Sequence, residues 1–249
     1  MLHDTPDDPI RVLISEFPRT QTMPVSSPTS QFLTPIPLFQ CILFYINEEG
    51  EQTMKRCSVI IHSVSGNCYI LGSYMCELLN ARSVDARLYR VEDTDLHIWA
   101  NKQETTNDFY EDILALPVAT TELLFKSDMI ILGSPTRFGN VTAEMKAFLD
   151  STYELSEQRS LESKLFACFT SCPHSTNEGV HTLDSMIYWA QSQGMIHIPF
   201  GVRTDINSHN QPASGIVHLA GSNNAIRPSE QLGKVMEAYA DQLAAYIQE

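Results

Sequence analysis

Three short stretches hold the residue types that could bind a ligand. HSVSGNCY (His62 to Tyr69) places hydroxyls at Ser63 and Ser65, a glycine at Gly66 and an amide at Asn67 in one turn, flanked by Val64 and Cys68. At a helix start, such donors and the first helix amides form a nest for a phosphate. The loop matches neither G-x-x-x-x-G-K-[ST], whose lysine it lacks, nor G-x-G-x-x-G. A monophosphate ester held by neutral donors therefore fits better than a triphosphate or a dinucleotide, although the string could also be a plain turn. SPTRFGN (Ser134 to Asn140) follows an apolar run, and a loop that only turns needs no Arg beside Phe. Pro135, Thr136, Arg137 and Phe138 could line a flat aromatic ligand, with Gly139 and Asn140 letting backbone approach it. The alternative is a turn shaped by Pro135 and Gly139, with Arg137 paired to a surface acid. TSCPHSTNEG (Thr170 to Gly179) is the third stretch, and Thr170, Ser171, Cys172, His174 and Ser175 could wall the same site. His174 reads either as an acid–base group or as an exposed side chain. Cys172 reads either as a redox thiol or, with nothing basic beside it except His174, as an ordinary one.

These stretches need elements that bring them together. Ser58–Ile61, Ala86–Val91, Met129–Leu132, Leu165–Phe169 and Met195–Phe200 read as short buried strands. Helical spacing covers Ile70–Leu79, Thr120–Asp128, Thr142–Tyr153, Thr182–Gln193 and Glu230–Ile247; residues 93–116 are the least readable. Strands alternating with helices imply a parallel sheet covered on both faces. Five strands give a flavodoxin-like α/β count. In such a sheet ligands bind outside the carboxyl ends of the strands, where all three stretches fall.

With 249 residues, 43% hydrophobic, the chain can bury a sizeable core, and its net charge of −14 argues against nucleic acid or an anionic membrane as partner. The six cysteines show no C-x-x-C pair and read as reduced thiols; no metal is expected. The amino terminus is acidic, and its longest apolar run is far short of a membrane span, so a cytoplasmic protein is expected. Residues 1–53, crowded with Pro, Ser and Thr between 18 and 37, read as an irregular extension in which CILFYI (Cys41–Ile46) could form one strand. MKRCSVIIHS then reads like a fresh start, so the domain is expected over 54–249.

LPVATTELLFKSDMIILGSPTRFGNVTAEMKAFLDST (Leu116 to Thr152), SKLFACFTS, GMIHIPFG and AGSNNAIRPSEQLGKVMEAYADQLA together resemble the flavodoxin-like NAD(P)H:quinone oxidoreductases of the tryptophan-repressor-binding-protein family. The resemblance covers residues 57–249, thinly between 93 and 115, and P-T-R-F-G-N is its most specific part. It implies FMN as cofactor: Ser63 to Cys68 around the phosphate, Thr136, Arg137 and Phe138 beside the isoalloxazine, and Thr170 to Ser175 as the third loop. It also implies NAD(P)H as donor, a quinone or similar small acceptor, and a homo-oligomer, dimer or tetramer, whose subunits complete each site. Departures touch the acceptor side. The family's glycine-rich third loop is TSCPHSTN here, its paired histidines are Ser192 and Gln193, a tryptophan is Ser156, and a phosphate-loop aromatic is Ser65. Two other classes stay open: a one-electron carrier for a protein partner, which suits the acidic surface, and a cofactor-free binding protein.

Overall fold

The computed structural model describes residues 54–100, 102, 108–203, 206 and 211–249. The expected extension over 1–53, with its CILFYI strand, lies outside them. The described chain alternates β1 (Arg56–Ile61), α1 (Asn67–Asn80), β2 (Asp85–Arg90), α2 (Leu96–Ala100), α3 (Tyr110–Ala115) and α4 (Thr121–Lys126). It continues through β3 (Met129–Pro135), α5 (Ala143–Asp150), α6 (Tyr153–Glu157), β4 (Leu165–Cys172), α7 (Thr176–Ser192), β5 (Ile196–His197), β6 (Ile216–Leu219) and α8 (Glu230–Gln248). All strand pairs are parallel, in the order β2-β1-β3-β4-β5, with β6 also on β4.

Burial on both faces explains why the central strands are apolar throughout: β1 is buried from Cys57 to Ile61, and β3 from Met129 to Ser134. Val59 and Ile61 pack with α1 and α8, through residues such as Leu71, Met75, Tyr239 and Leu243. Ile60, Ile130 and Leu132 pack on the other side with Met145, Leu149, Leu183 and Met186. Helices thus cover both faces of a flavodoxin-like sheet.

Three sequence expectations need correction. The fifth strand is not continuous over Met195–Phe200: β5 pairs only Leu165 and Phe166, and β6, reached after a detour, pairs Phe169 to Cys172. Pro199 cannot donate to a ladder, and the Tyr239 hydroxyl donates to the Ile198 carbonyl at 2.5 Å where the ladder stops. Gln211 closes the outer edge of β6 through two side-chain bonds to the Val217 backbone. The second correction concerns Thr170–Gly179. Here β4 runs on to Cys172 and α7 begins at Thr176, capped by Ser175 Oγ, so only Pro173–Ser175 is loop. The helix expected over Thr142–Tyr153 is broken into α5 and α6, and residues 93–116 hold the short helices α2 and α3.

Candidate functional site

Helices α4, α5, α7 and α8 each start on a Ser or Thr whose hydroxyl accepts a first-turn amide. The start of α1 differs. Its N-cap is Gly66, at φ 89, with no side-chain cap and no acid in the first turn. The amides of residues 64–68 have no acceptor among the described residues. Ser63 Oγ accepts the Tyr69 amide at 3.2 Å, leaving its proton for another acceptor. This donor set, with no carboxylate in it, is of the kind that can receive a phosphate.

Gly66 is needed for a second reason. A Cβ there would lie 2.2 Å from Phe109 Cδ2, and its backbone is already left-handed. Phe109 lies in the stretch least readable from sequence, yet its ring covers the phosphate turn. Arg227 stacks over that ring at 4.7 Å and donates through Nη1 to the Ser65 carbonyl and to Asn67 Oδ1.

The hairpin after β3 is closed by reciprocal backbone bonds between Arg137 and Asn140, 2.8 and 3.0 Å long. Phe138 (φ 52) and Gly139 (φ 72) both occupy the left-handed region at its tip. Such a backbone costs a bulky residue roughly 1–2 kcal/mol. Phe138 is nevertheless completely exposed. Strain of this kind persists where surrounding structure imposes it, often at ligand sites. The hydroxyl of Thr136 points the other way, into a buried chain. Thr182 donates to Thr136 (3.0 Å), Thr136 to Thr170 (3.0 Å) and Thr170 to the Ser134 carbonyl (2.7 Å). These hydroxyls fix the hairpin to β4 and α7 and are fully used in doing so.

A small cavity of about 10 Å³ is lined by Ser63, Val64, Ser65, Asn67, Cys68, Pro135, Arg137, Ser171 and Asn224. It joins all three sequence stretches and adds Asn224, which sequence reasoning missed. Beside it, Val64, Arg137, Phe138 and Asn140 also line a cleft of about 530 Å³ that reaches Trp99 and α5. Thr170, Cys172, His174 and Ser175 border neither space. His174 is exposed. Burial pushes the Cys172 thiol up to about 11, and its Sγ bonds the Ser175 carbonyl, so it is no thiolate at neutral pH. Burial likewise lifts Cys68 to about 12, although the Ser171 amide partly offsets this.

One group at the cleft wall, around His62 and Glu144, was not given a role from the sequence. His62 ends the β1 run, almost fully buried; its Nε2 lies 3.0 Å from Asp93 Oδ2, and Glu144 Oε2 is 3.8 Å from Nδ1. Nδ1 has no hydrogen-bond partner among the described residues. Burial would raise the Asp93 carboxyl, but hydrogen bonds from His62 and from the Asp95 and Leu96 amides outweigh it and hold the group below its ordinary range. Although these donors lie within 4.8 Å of one another, the carboxylates approach different edges of the ring. An ion at Nδ1 would have His62 and Glu144 alone, fewer ligands than protein metal sites use. The cluster instead clasps the end of β1 to the turn after β2 and to α5.

Comparison with known proteins follows this geometry. Residues 58–205 match the family NADPH-dependent FMN reductase. A protein of Archaeoglobus fulgidus named NAD(P)H dehydrogenase (quinone) is 36% identical over 145 residues, 57% of this chain and 75% of that protein. Protoplast secreted protein 2 of Saccharomyces cerevisiae is 28% identical over 71% of this chain and 89% of its own length. Among solved structures, a WrbA-like flavodoxin from Agrobacterium tumefaciens superposes with a TM-score of 0.52 at 16% identity, covering 78% of this chain and 98% of that one. Flavodoxin 2 from Bacillus cereus gives 0.51 at 17%, covering 77% and 99%. Similarity at that identity speaks for the fold alone. No described helix is long and apolar enough to cross a membrane.

Proposed function

Because the chain belongs to the NADPH-dependent FMN reductase family, we propose that it oxidises NAD(P)H through FMN held where the three loops meet. A quinone or similar small molecule is the proposed acceptor, in line with relatives named NAD(P)H dehydrogenase (quinone). The reading extends to a cytoplasmic homo-oligomer, dimer or tetramer, with no metal. The observation that carries the reading is the shared cavity: residues at the start of α1, Pro135 at the end of β3, Arg137 from the hairpin, and Ser171 line one space.

FMN, when bound, supplies the two-electron chemistry. The chain does the rest. The amides of residues 64–68, which have no acceptor among the described residues, and the hydroxyls of Ser63 and Ser65 would hold the phosphate monoester. Arg137, exposed at the cavity and cleft, would offer positive charge to a flavin reduced there; at a few ångströms in a partly solvated site this is worth on the order of 1–4 kcal/mol. Phe138, presented by the strained turn, gives the cleft an aromatic face for a planar ring, and the cleft admits donor and acceptor in alternation. Fluorescence titration of the flavin-stripped protein tests the reading. Stoichiometric quenching of FMN, with no dependence on added metal, is expected; unquenched FMN would refute it.

A further inference from the structure

The turn Gly221–Pro228 lies more than 150 positions from the phosphate loop in sequence, yet it bonds that loop three times. Asn67 Nδ2 donates to the Asn224 carbonyl at 3.0 Å, and Arg227 Nη1 donates to the Ser65 carbonyl and, at 3.1 Å, to Asn67 Oδ1. Both ends of the Asn67 amide are therefore taken by this turn. The turn is itself built to hold: Asn224 is left-handed at φ 56, Ile226 N donates to Ala220 O at 2.9 Å, and buried His218 bonds the Ile226 carbonyl at 2.8 Å. The guanidinium is fixed again by the Phe109 ring beneath it and by Asp108, 3.7 Å from Nη2.

We infer that Arg227 is a positioning residue for the phosphate of the flavin, setting the preference for a phosphorylated over an unphosphorylated flavin. The inference rests on the proposed function, with the phosphate of FMN at the Ser63–Cys68 turn and the rest of the flavin in the adjoining cleft. In a planar trans peptide the carbonyl and the next N–H point in opposite directions. Pinning the Ser65 carbonyl on Arg227 therefore turns the Gly66 N–H to the other side, and it keeps one carbonyl dipole from opposing a phosphate. Bonding Asn67 Oδ1 likewise occupies an acceptor that would repel an anion. Arg227 does not line the cavity; it acts through Ser65 and Asn67, which do. It also gives this lysine-free loop a cation one layer out.

The test compares FMN with riboflavin, which lacks only the phosphate, by fluorescence titration of the flavin-stripped full-length chain, with thermal unfolding alongside. Losing bonds to a charged group typically weakens binding roughly 10–100-fold. Arg227→Gln is expected to lose that much FMN affinity while riboflavin affinity stays within about threefold, by the same comparison. Arg227→Lys, which keeps charge but not the shared hold on Ser65 and Asn67, falls between, and it serves alone if the glutamine variant does not fold. An unchanged FMN-to-riboflavin ratio overturns the inference, whether both affinities drop together, as for a structural residue, or neither moves. If the unaltered chain binds riboflavin as tightly as FMN, the inference fails while flavin binding stands. If it binds neither, the site reading itself has failed.

Discussion

The hairpin at Thr136–Asn140 and the turn at Gly221–Pro228 both reach the small cavity, by different means. The hairpin is closed by bonds between residues three positions apart, Arg137 and Asn140, and its left-handed tip is written into the Phe-Gly pair. The distal turn is tied down by bonds that span the domain, from Asn224 and Arg227 to Asn67 and Ser65. A locally determined loop shows itself in sequence. The seating of a turn on distant partners does not, even where its residues matter as much. The contrast can be broken by substitutions that attack each kind of support.

The largest effect is expected where the long-range support converges. Gly66→Val puts a β-branched residue at φ 89 and against Phe109. Backbone strain and overpacking each contribute about 1–3 kcal/mol, so a combined loss of about 2–6 kcal/mol is expected in urea unfolding. FMN quenching should be lost with it. A variant that unfolds and binds like the parent would show that Phe109 does not rest on the turn.

A smaller effect of opposite sign is expected at the hairpin tip. Phe138→Gly removes a left-handed phenylalanine but adds chain entropy, so stability should be equal or higher by up to about 1 kcal/mol. Flavin affinity or turnover should nonetheless fall, because the exposed ring is lost. Higher stability with unaltered function would make Phe138 a surface accident.

The clasp at His62 sharpens the comparison least, but its sign is definite. The folded pKa of Asp93 lies below the unfolded value of about 3.9, so its contribution is present above about pH 4 and is lost as pH falls through the folded value. Asp93→Asn should therefore be less stable than the parent at pH 7, with the gap narrowing below pH 4 in parallel melts. A gap independent of pH would show that the carboxylate's charge plays no part.

The same division explains what the sequence allowed. Runs such as Ser58-Val59-Ile60-Ile61 and Met129 to Leu132 announce buried parallel strands because both faces are apolar, and the phosphate turn and hairpin follow at their carboxyl ends. Thr170-Ser171-Cys172 looked like loop because polar residues are rarely fully buried. Here the Thr182–Thr136–Thr170 hydroxyl chain satisfies Thr170 inside the sheet, a fact no local window contains. The split of the fifth strand depends on Tyr239 and Gln211, and the cover of the phosphate turn on Phe109 and Arg227. Tyr239, Phe109 and Arg227 act on residues far away in the chain, and Gln211 on Val217 across a loop.

The central claim, that the small cavity and the cleft beside it together receive a flavin which NAD(P)H reduces, is tested most directly by mixing the FMN-loaded protein with NADPH, and separately NADH, without oxygen, and following the flavin absorbance band. Rapid bleaching by at least one nucleotide is expected, slowed in Arg137→Ala and reversed when a quinone is added. Flavin that stays oxidised under both nucleotides, while a chemical reductant bleaches it, would contradict the enzyme and leave a carrier on the same fold.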